Sequence, residues 1–383
     1  MHTCFTRLLL AAPSLLLLLL LLLCGAARAD DIDDLVKARM REQGIPGLSL
    51  AVIRNGAIVR EQAYGVIANT APDAVTPATL FQAASISKPV TALAALRLVE
   101  AGKLHLDADV NRTLRSWKLP DNDFTRDSKA TLRGILSNSA GLGVPSFPGY
   151  AAGAPLPTLK QVLDGAAPAN TAAVRVELVP RSAWRYSGGG HALLQQLMID
   201  AAGQPFDALM DELVLKPLGM ARSSFAQTPP ANAAHGHVEG KPLPGGWHVY
   251  PEQAAAGLWT TPADLARFAI GLQRAYNSKP GEPGPILSQA MAREAMNRQI
   301  ASEGLGLFVM GTDGRAPSLW HGGRNRGFDA FLWFTPANGN GIVVMINAND
   351  NAASVNAVAR TIAAHYGMEA FPFPSPASGE LRR

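Results

Sequence analysis

The sequence predicts an α+β fold: an antiparallel sheet built from both ends of the chain, flanked by terminal helices, with an all-helical lobe between them. Strand-like runs lie near the two ends of the 383-residue chain, whereas amphipathic helical patterns dominate its middle. Glycine, proline and helix-capping residues separate these segments at regular intervals, so the element boundaries are well marked.

The first elements follow from strong local signals. Residues 30–44 carry acids in the first turn and apolar side chains at helical spacing, and the pattern stops at Gly44. Two strand-like runs, 47–53 and 57–65, then flank the dipeptide Asn55-Gly56. That dipeptide favours a type I′ turn, so the two runs are predicted to pair as a hairpin.

The middle of the chain is predicted to be mainly helical. A long amphipathic helix should run from Ser85 to Ala101, and glycine or proline closes each later helix. The segment 103–180 mixes short helical pieces with Pro and Gly, and the further predicted helices span 132–137, 191–202 and 206–216. A Pro/Gly-rich stretch, 229–246, is predicted to be a linker that returns to the sheet.

The C-terminal part is predicted to return to strands. Thr261-Pro262-Ala263-Asp264 opens a helix with a capping residue, a proline at the first helical position and an acid two residues later. The elements expected after it are a helix over 287–297, strands over 305–310, 318–321, 328–334 and 342–347, and a last helix over 352–365. Residues 371–383 are predicted to form a loose tail.

The N-terminal segment is typical of an export signal. Arg7 supplies the positive charge, a leucine run follows to Leu23, and Ala27-Arg28-Ala29 is a small-x-small cleavage site, so the mature chain is expected to begin at Asp30. The apolar run is short of the roughly 20 residues of a membrane span. Lipidation of Cys24 is disfavoured because Leu23 before it is large. We therefore expect a periplasmic or secreted protein with no stable membrane span.

Composition excludes several classes of function. Both cysteines, Cys4 and Cys24, lie in the predicted signal, so the mature protein has no disulfide and no cysteine metal site. Removal of the signal leaves 32 basic against 30 acidic residues, and no run of five like charges appears. Nothing therefore indicates nucleic acid as a partner. A small molecule or a peptide is the expected substrate, and the sequence does not indicate the oligomeric state.

Three segments carry residues capable of chemistry. Ser85-Ile86-Ser87-Lys88 places a hydroxyl at a helix N-terminus, with a lysine three residues later on the same face. At its reference pKa of about 10.4 only about one lysine in 2,500 is neutral at pH 7, so Lys88 needs burial or a second cation to act as a base. A capping serine with an exposed lysine is the alternative interpretation.

The other two segments are rich in glycine. Tyr186 precedes three glycines and a helix, which could project its hydroxyl into a cleft, although a tyrosine packed between lobes is the alternative. Trp320-His321-Gly322-Gly323-Arg324-Asn325-Arg326 lies between two predicted strands, where glycines would allow a substrate to approach closely. An ordinary hairpin turn with a packed histidine is the competing interpretation of this segment. Three tryptophans, Trp184, Trp247 and Trp259, could line the substrate pocket or pack in the core, and the core is the favoured interpretation for each.

These segments, in this order, resemble the serine β-lactamases of class C and their relatives: D-alanyl-D-alanine carboxypeptidases, D-aminopeptidases and β-lactamase-like esterases. The stretches FQAASISKPVTALAALRLVEAGKLHLDADV, ILSNSAGL, YSGGGHALLQQLM and WHGG resemble that family's nucleophile helix, LL-x-H-T-S-G-L stretch, Y-x-N element and K-T-G or H-x-G strand. The resemblance implies a β-lactamase/transpeptidase-like fold in residues 30–370. Its α/β lobe would comprise about 30–84 and 235–370, and its helical lobe about 85–234.

The resemblance also implies roles for individual residues. Ser85 attacks a carbonyl to form an acyl-enzyme, and Lys88 and Tyr186 move the protons. The backbone N–H groups of Ser85 and Arg324 form the oxyanion hole. The expected substrate-binding residues are Gly188, His321, Gly322, Gly323, Arg324 and Arg326. No cofactor and no metal are expected.

Two departures from the class C pattern bear on the substrate. Gly188 stands where those enzymes carry asparagine, and His321 stands where they carry lysine. A histidine is mostly neutral at pH 7 and binds a carboxylate weakly, so Arg324 or Arg326 is hypothesised to supply that positive charge. Both departures favour ester or peptide substrates over β-lactams.

Three other functions compete with this interpretation. An α/β-hydrolase would need G-x-S-x-G, which the chain lacks. A zinc hydrolase would use His235, His237 and His248, but they lie in a Pro/Gly-rich loop and the sequence contains no H-E-x-x-H motif. A penicillin-binding module that is acylated without turnover is the main rival outside enzymes.

Overall fold

The computed structural model describes residues 32–229, 232–282, 284–311, 317–349, 353–368 and 371. The predicted signal, the tail beyond residue 371 and residue 352 of the last predicted helix lie outside them. Within those ranges no helix is both long and apolar enough to cross a membrane.

A six-stranded antiparallel sheet forms the framework, as predicted. Its strand order is β2-β1-β10-β9-β8-β7, so strands from the two ends of the chain pair in its middle. The strands are β1 (Gly47–Arg54), β2 (Ala57–Gly65), β7 (Phe308–Met310), β8 (Ser318–Asn325), β9 (Phe328–Thr335) and β10 (Asn340–Ile346). Two-residue pairs are formed by β3 (Phe81–Gln82) with β6 (Trp259–Thr260), and by β4 (His237–Val238) with β5 (Lys241–Pro242).

Helices cover both faces of the sheet. The first helix, α1, spans residues 32–43. The remaining α-helices are α2 (Ser87–Glu100), α3 (Leu132–Leu136), α4 (Leu159–Asp164), α5 (Gly188–Ala202), α6 (Phe206–Met210), α7 (Gln253–Ala256), α8 (Pro262–Tyr276), α9 (Gln289–Met296) and α10 (Ala353–His365). Side chains of α1 and α10 pack with one face of the sheet, and those of α8 and the middle helices form a larger core with the other.

Local turn and cap signals are confirmed by the backbone. Asn55 and Gly56 both have positive φ, 52° and 71°, as a type I′ turn requires. Thr261 accepts a hydrogen bond from the N–H of Asp264 through its side chain, with Pro262 at the start of α8. These short-range features form as the sequence predicts because neighbouring residues alone determine them.

Several predicted boundaries are wrong. A 3₁₀ turn precedes α2, so the helix predicted from Ser85 begins at Ser87. The helix predicted over 206–216 changes at Asp211 into a π-helical turn, Asp211–Leu215. The predicted linker contains the β4–β5 pair. Most important for the site, β8 continues through the glycines to Asn325, where the sequence placed an interstrand segment.

Close packing explains why β8 needs one of its glycines. A Cβ on Gly323 would lie 2.1 Å from the carbonyl oxygen of Ala83, which is far inside van der Waals contact. Nothing lies within 4 Å of a Cβ on Gly322, its neighbour in the strand. Gly323 therefore permits β8 to run against the 3₁₀ turn that carries Ser85.

This difference gives a matched pair of variants. Gly323→Ala should lower the free energy of unfolding by about 1–3 kcal/mol, because the strand and the turn must separate. Gly322→Ala should change it by no more than about 0.5 kcal/mol. Urea unfolding monitored by circular dichroism measures both, and equal unfolding midpoints for the two variants would contradict the packing described.

Candidate active site

Ser85 lies on a tight, strained turn at the start of α2. The 3₁₀ turn spans Ala84–Ile86, and Ala84 has a φ of 50°, in the left-handed region that a residue with a Cβ rarely adopts. Such a conformation costs on the order of 1–3 kcal/mol and persists only where surrounding contacts enforce it. Ser85 itself is partly exposed, while Ala84 is fully buried.

Those enforcing contacts come from Ser87 and the segment before β6. The Ser87 hydroxyl donates to the carbonyl oxygen of Ala84 at 2.6 Å and accepts from the N–H of Leu258 at 3.0 Å. The N–H of Ala83 donates to the carbonyl oxygen of Leu258 at 2.8 Å. Ser87, which the sequence analysis did not single out, therefore ties the turn to a distant part of the chain.

Lys88 is buried beside the Ser85 hydroxyl. Its side chain has 3% exposure, and Nζ donates to Ser85 Oγ and to the carbonyl oxygen of Ala255, each at 2.9 Å. Burial lowers the pKa of Lys88 to about 7, and the negative charge of Glu303 opposes that shift. A substantial fraction of the lysine is therefore neutral at pH 7. The interpretation of Lys88 as an exposed helix residue does not fit this structure.

Tyr186 completes the cluster from the segment just before α5. Its hydroxyl interacts with the Ser85 side chain, and Lys88 Nζ lies 4.9 Å from the centre of its ring. Burial raises the pKa of Tyr186 above its ordinary value, so the side chain remains a phenol at neutral pH. The structure thus brings together Ser85, Lys88 and Tyr186, the three residues that the sequence predicts to be catalytic.

His321 lies in β8 and is almost wholly buried. It has 2% exposure, and its Nδ1 donates to the carbonyl oxygen of Gly322 at 2.7 Å, which leaves Nε2 without the proton. Burial, reinforced by the charge of Lys88, lowers the pKa of His321 to about 3. The imidazole is therefore neutral at pH 7 and carries no charge for a substrate carboxylate.

Gly323 and the side chain of Arg324 lie on opposite faces of β8. Gly323 contacts the nucleophile turn through the carbonyl oxygen of Ala83. The Arg324 side chain is committed elsewhere: its guanidinium contacts Asp329 on β9 at 3.6 Å and donates to the carbonyl oxygen of Asn349. Since side chains alternate along a strand, Arg324 shares the face of Trp320, whereas His321 and Gly323 share the other.

This arrangement corrects part of the hypothesis on substrate anchoring. The Arg324 side chain, held by Asp329, does not face the site. Arg326 is exposed in the turn after β8, where its N–H donates to the Tyr250 hydroxyl at 2.9 Å. Gly188 is buried, and a Cβ there would lie 3.0 Å from the ring of Phe147. The position that an asparagine would need is thus occupied.

Sequence reasoning missed a set of residues behind the cluster. Glu303 is fully buried, and its Oε2 accepts from Trp184 Nε1 at 3.1 Å. Asn138 accepts from the N–H of Ser187 through Oδ1 at 3.0 Å. Trp259 is buried as expected, but Trp184 is 40% exposed rather than in the core. Asn138 falls in the family-like ILSNSAGL stretch, whereas nothing in the sequence marks Glu303.

The histidines of the zinc alternative are used in other ways. Both ring nitrogens of His237 are engaged, by the N–H of Asn69 at 3.1 Å and by the carbonyl oxygen of Asn347 at 2.8 Å. The ring of His235 packs on Trp247 with 6.0 Å between centroids, and Nδ1 of His248 contacts the carbonyl oxygen of Pro148 at 3.1 Å. These contacts describe structural roles for all three.

Comparison with known proteins identifies the family. Residues 32–367 match the Beta-lactamase family, and this chain belongs to it. The chain is 32% identical over 228 residues to "Esterase EstB" of Burkholderia gladioli, a match that covers 57% of this chain and 56% of EstB. It is 26% identical over 336 residues to "Penicillin-binding protein 4" of Amycolatopsis lactamdurans, covering 82% of this chain and 83% of the relative.

Solved structures agree on the fold. The structure titled "EstCE1, a hydrolase with promiscuous acyltransferase activity" superposes with a TM-score of 0.72 at 21% identity, over 89% of this chain and 99% of EstCE1. The β-lactamase/transpeptidase-like prediction is thereby confirmed. Matches to the first curated relatives cover 56% and 63% of those proteins, so the chain spans less than two thirds of their length.

The pKa of Lys88 leads to a prediction on pH dependence. A base acts only when deprotonated, so kcat/KM for acylation should be lost as pH falls through about 7 and should level off above it. Lys88→Arg, which stays charged, should lower kcat/KM by about 10²–10⁴-fold. Stopped-flow measurement of acylation between pH 5 and 9 gives both quantities.

Lys160→Arg is the matched control, because this lysine is exposed on α4. Its rate and pH profile should equal those of the unmodified protein. A profile that is flat between pH 5 and 9 in the unmodified protein would contradict the role given to Lys88.

Proposed function

We propose that this protein hydrolyses carboxylic esters through an acyl-enzyme formed on Ser85. The observation that carries the proposal is the 2.9 Å contact between the Ser85 hydroxyl and the buried amine of Lys88, whose pKa of about 7 makes it a base at neutral pH. Membership of the Beta-lactamase family, a family of serine hydrolases, supports it.

The reaction follows from the positions of the three side chains. The Ser85 oxygen attacks the ester carbonyl while its proton passes to the Lys88 amine, and the N–H groups of Ser85 and Arg324 receive the negative charge of the carbonyl oxygen. The bond to the leaving alcohol then breaks, and the alkoxide takes a proton through Tyr186. Water attacks the acyl-enzyme by the same route, releasing the acid and regenerating the Ser85 hydroxyl.

The surroundings of the cluster favour uncharged substrates. His321 is neutral, the Arg324 guanidinium is held by Asp329, and Phe147 fills the space next to Gly188. Trp184 is partly exposed with its ring centroid 6.4 Å from that of Phe308, so the site has an aromatic side. The likeness to a protein called an esterase agrees with this chemistry.

Peptides ending in D-amino acids are the second candidate class. β7 pairs with β8 only at Ser318, Leu319 and Trp320, so within the described ranges the edge of β8 from His321 to Asn325 has no strand beside it. An extended peptide could add to that edge through backbone hydrogen bonds. The exposed Arg326 at its end could receive a carboxylate.

A substrate panel tests the proposal directly. Turnover of p-nitrophenyl acetate and butyrate should exceed that of nitrocefin and of a peptide ending in D-Ala-D-Ala by at least about tenfold in kcat/KM, because the carboxylate anchor is weak. Ser85→Ala should reduce ester turnover to the uncatalysed rate. Preferential turnover of nitrocefin, or a stable acyl adduct by mass spectrometry without turnover, would contradict an esterase function.

We also propose that the protein is exported and processed after Ala29. The basis is the pattern of Arg7, a leucine run and Ala27-Arg28-Ala29. When the full chain is produced in a bacterium, the intact mass of the protein recovered from the periplasm or medium should correspond to a start at Asp30. Recovery of a chain beginning at Met1, or of a lipid-modified chain beginning at Cys24, would contradict this expectation.

A further inference from the structure

Glu303 is an acid enclosed behind the catalytic cluster. It lies between α9 and β7 and has 0% exposure. Its backbone is fixed on both sides: the N–H donates to the carbonyl oxygen of Ile300 at 2.9 Å, and the carbonyl oxygen accepts from the N–H of Gln299 at 2.7 Å. Burial of a carboxyl group is costly unless it is paired or hydrogen-bonded, so its partners indicate why it is there.

Those partners lead to the segment that carries Tyr186. One carboxylate oxygen accepts from Trp184 Nε1 at 3.1 Å, and the carboxylate interacts with the side-chain amide of Asn138. Oε1 has no further hydrogen-bond partner among the described residues. Trp184 is two residues before Tyr186, so one contact of Glu303 acts on the chain immediately before the catalytic tyrosine.

Asn138 holds the same segment from both sides of Tyr186. Its backbone carbonyl accepts from the N–H of Arg185 at 2.7 Å, and its side-chain Oδ1 accepts from the N–H of Ser187 at 3.0 Å. Because Oδ1 is the acceptor from Ser187, the Nδ2 of the same amide is the group free to donate to Glu303. Glu303 therefore orients the amide that fixes the tyrosine.

We propose that Glu303 is a positioning residue for the acyl transfer, which holds Tyr186 in place through Trp184 and Asn138 and adds a negative charge to the buried surroundings of Lys88. The proposal rests on the proposed function at Ser85. It assigns to Glu303 no contact with the substrate. Glu303 acts on the reaction only indirectly, through Tyr186 and Lys88, which contact the reacting hydroxyl of Ser85.

The charges around Lys88 make the second part of this role measurable. The titratable groups facing the amine are Tyr186, His191 from α5, His321 from β8 and Glu303. Burial and the lysine charge lower the pKa of both histidines to about 3, and Tyr186 stays protonated. Ionised Glu303 is thus the group that raises the pKa of Lys88 against the effect of burial.

The two groups influence each other. Burial raises the pKa of Glu303 to about 8, while the Lys88 charge and the bonds from Trp184 and Asn138 lower it. At pH 7 the carboxyl group is therefore mostly protonated, and its ionised fraction rises as the pH approaches 8. Its charge favours the protonated amine, so removal of the charge must leave Lys88 deprotonated down to a lower pH.

Glu303→Gln tests this directly, because glutamine keeps the size of the side chain and an oxygen for Trp184. The acid limb of kcat/KM for p-nitrophenyl butyrate should shift to lower pH by about 0.3 unit, because only a minority of the carboxyl groups carry a charge near pH 7. Glu303→Leu, which also removes the acceptor, should lower kcat by about 10- to 100-fold while KM changes less, because Tyr186 is then less well placed.

Two further variants keep the test decisive. Trp184→Phe removes one hydrogen-bond donor to Glu303, so the carboxyl group should be less ionised and the acid limb of kcat/KM should shift to lower pH by a smaller amount. Because Trp184 is half-exposed, this variant provides a test even if the Glu303 variants fail to fold. Glu252→Gln is the matched control: it is equally buried with a pKa near 7, but does not act on Lys88. Its acid limb should stay in place.

The outcomes separate this inference from the proposed function. An unshifted acid limb in folded Glu303→Gln and Trp184→Phe would overturn the role of Glu303, even with full esterase activity. An equal shift in Glu252→Gln would also overturn it. Loss of the proposed function would instead appear as ester turnover that persists in Ser85→Ala.

Discussion

The enclosure of one amine beside one hydroxyl is the constraint on which the rest of the structure depends. Lys88 is removed from water, yet its nearest partners are a serine hydroxyl and a backbone carbonyl rather than a carboxylate in direct contact. The positive charge of a buried ammonium group with these partners is poorly stabilised, and the pKa of Lys88 is therefore lowered. Because no carboxylate contacts the buried amine, its charged form destabilises the folded protein. For the same reason Lys88 can lose its proton and act as a base.

The fold holds this arrangement by long-range contacts. Lys88 donates to Ala255, 167 residues away, and Ser87 bonds to Leu258, 171 residues away. β8 runs against the nucleophile turn because Gly323 has no side chain. The left-handed conformation of Ala84 is therefore fixed by neighbours from two other parts of the chain. A reacting hydroxyl, its base and a strand edge are thereby held in one place before substrate binds.

Features that depend on adjacent residues could be predicted from the sequence, whereas those that depend on residues distant in the chain could not. Asn55-Gly56 and the cap at Thr261 depend on adjacent residues, so their turns and helix starts are readable directly. Ser85, Lys88 and Tyr186 were identified because their spacing and order resemble a family. The Gly322-Gly323 pair reads locally as a turn, and only the distant carbonyl of Ala83 shows why it belongs to a strand. The orientation of Arg324 likewise depends on its cross-strand neighbour, Asp329.

Glu303 marks the limit of such prediction. From the sequence alone, a glutamate before a glycine-rich strand is expected to be exposed to solvent. Its partner Trp184 cannot be recognised as such, because it lies 119 residues earlier in the chain. Its burial arises only in the folded protein, where the segment before β7 packs against the segment that carries Tyr186. Substrate preference is limited in the same way, because the neutrality of His321 arises from three-dimensional enclosure rather than from the residue type alone.

Direct titration of Lys88 is the measurement that tests the central claim most closely. The protein can be labelled with lysine carrying ¹³C at the ε-carbon, and the resonance of Lys88 assigned by its loss in Lys88→Arg. The account predicts an NMR titration midpoint for this resonance near pH 7, well below the ordinary lysine value of 10.5. A midpoint above pH 10 for Lys88 would contradict it.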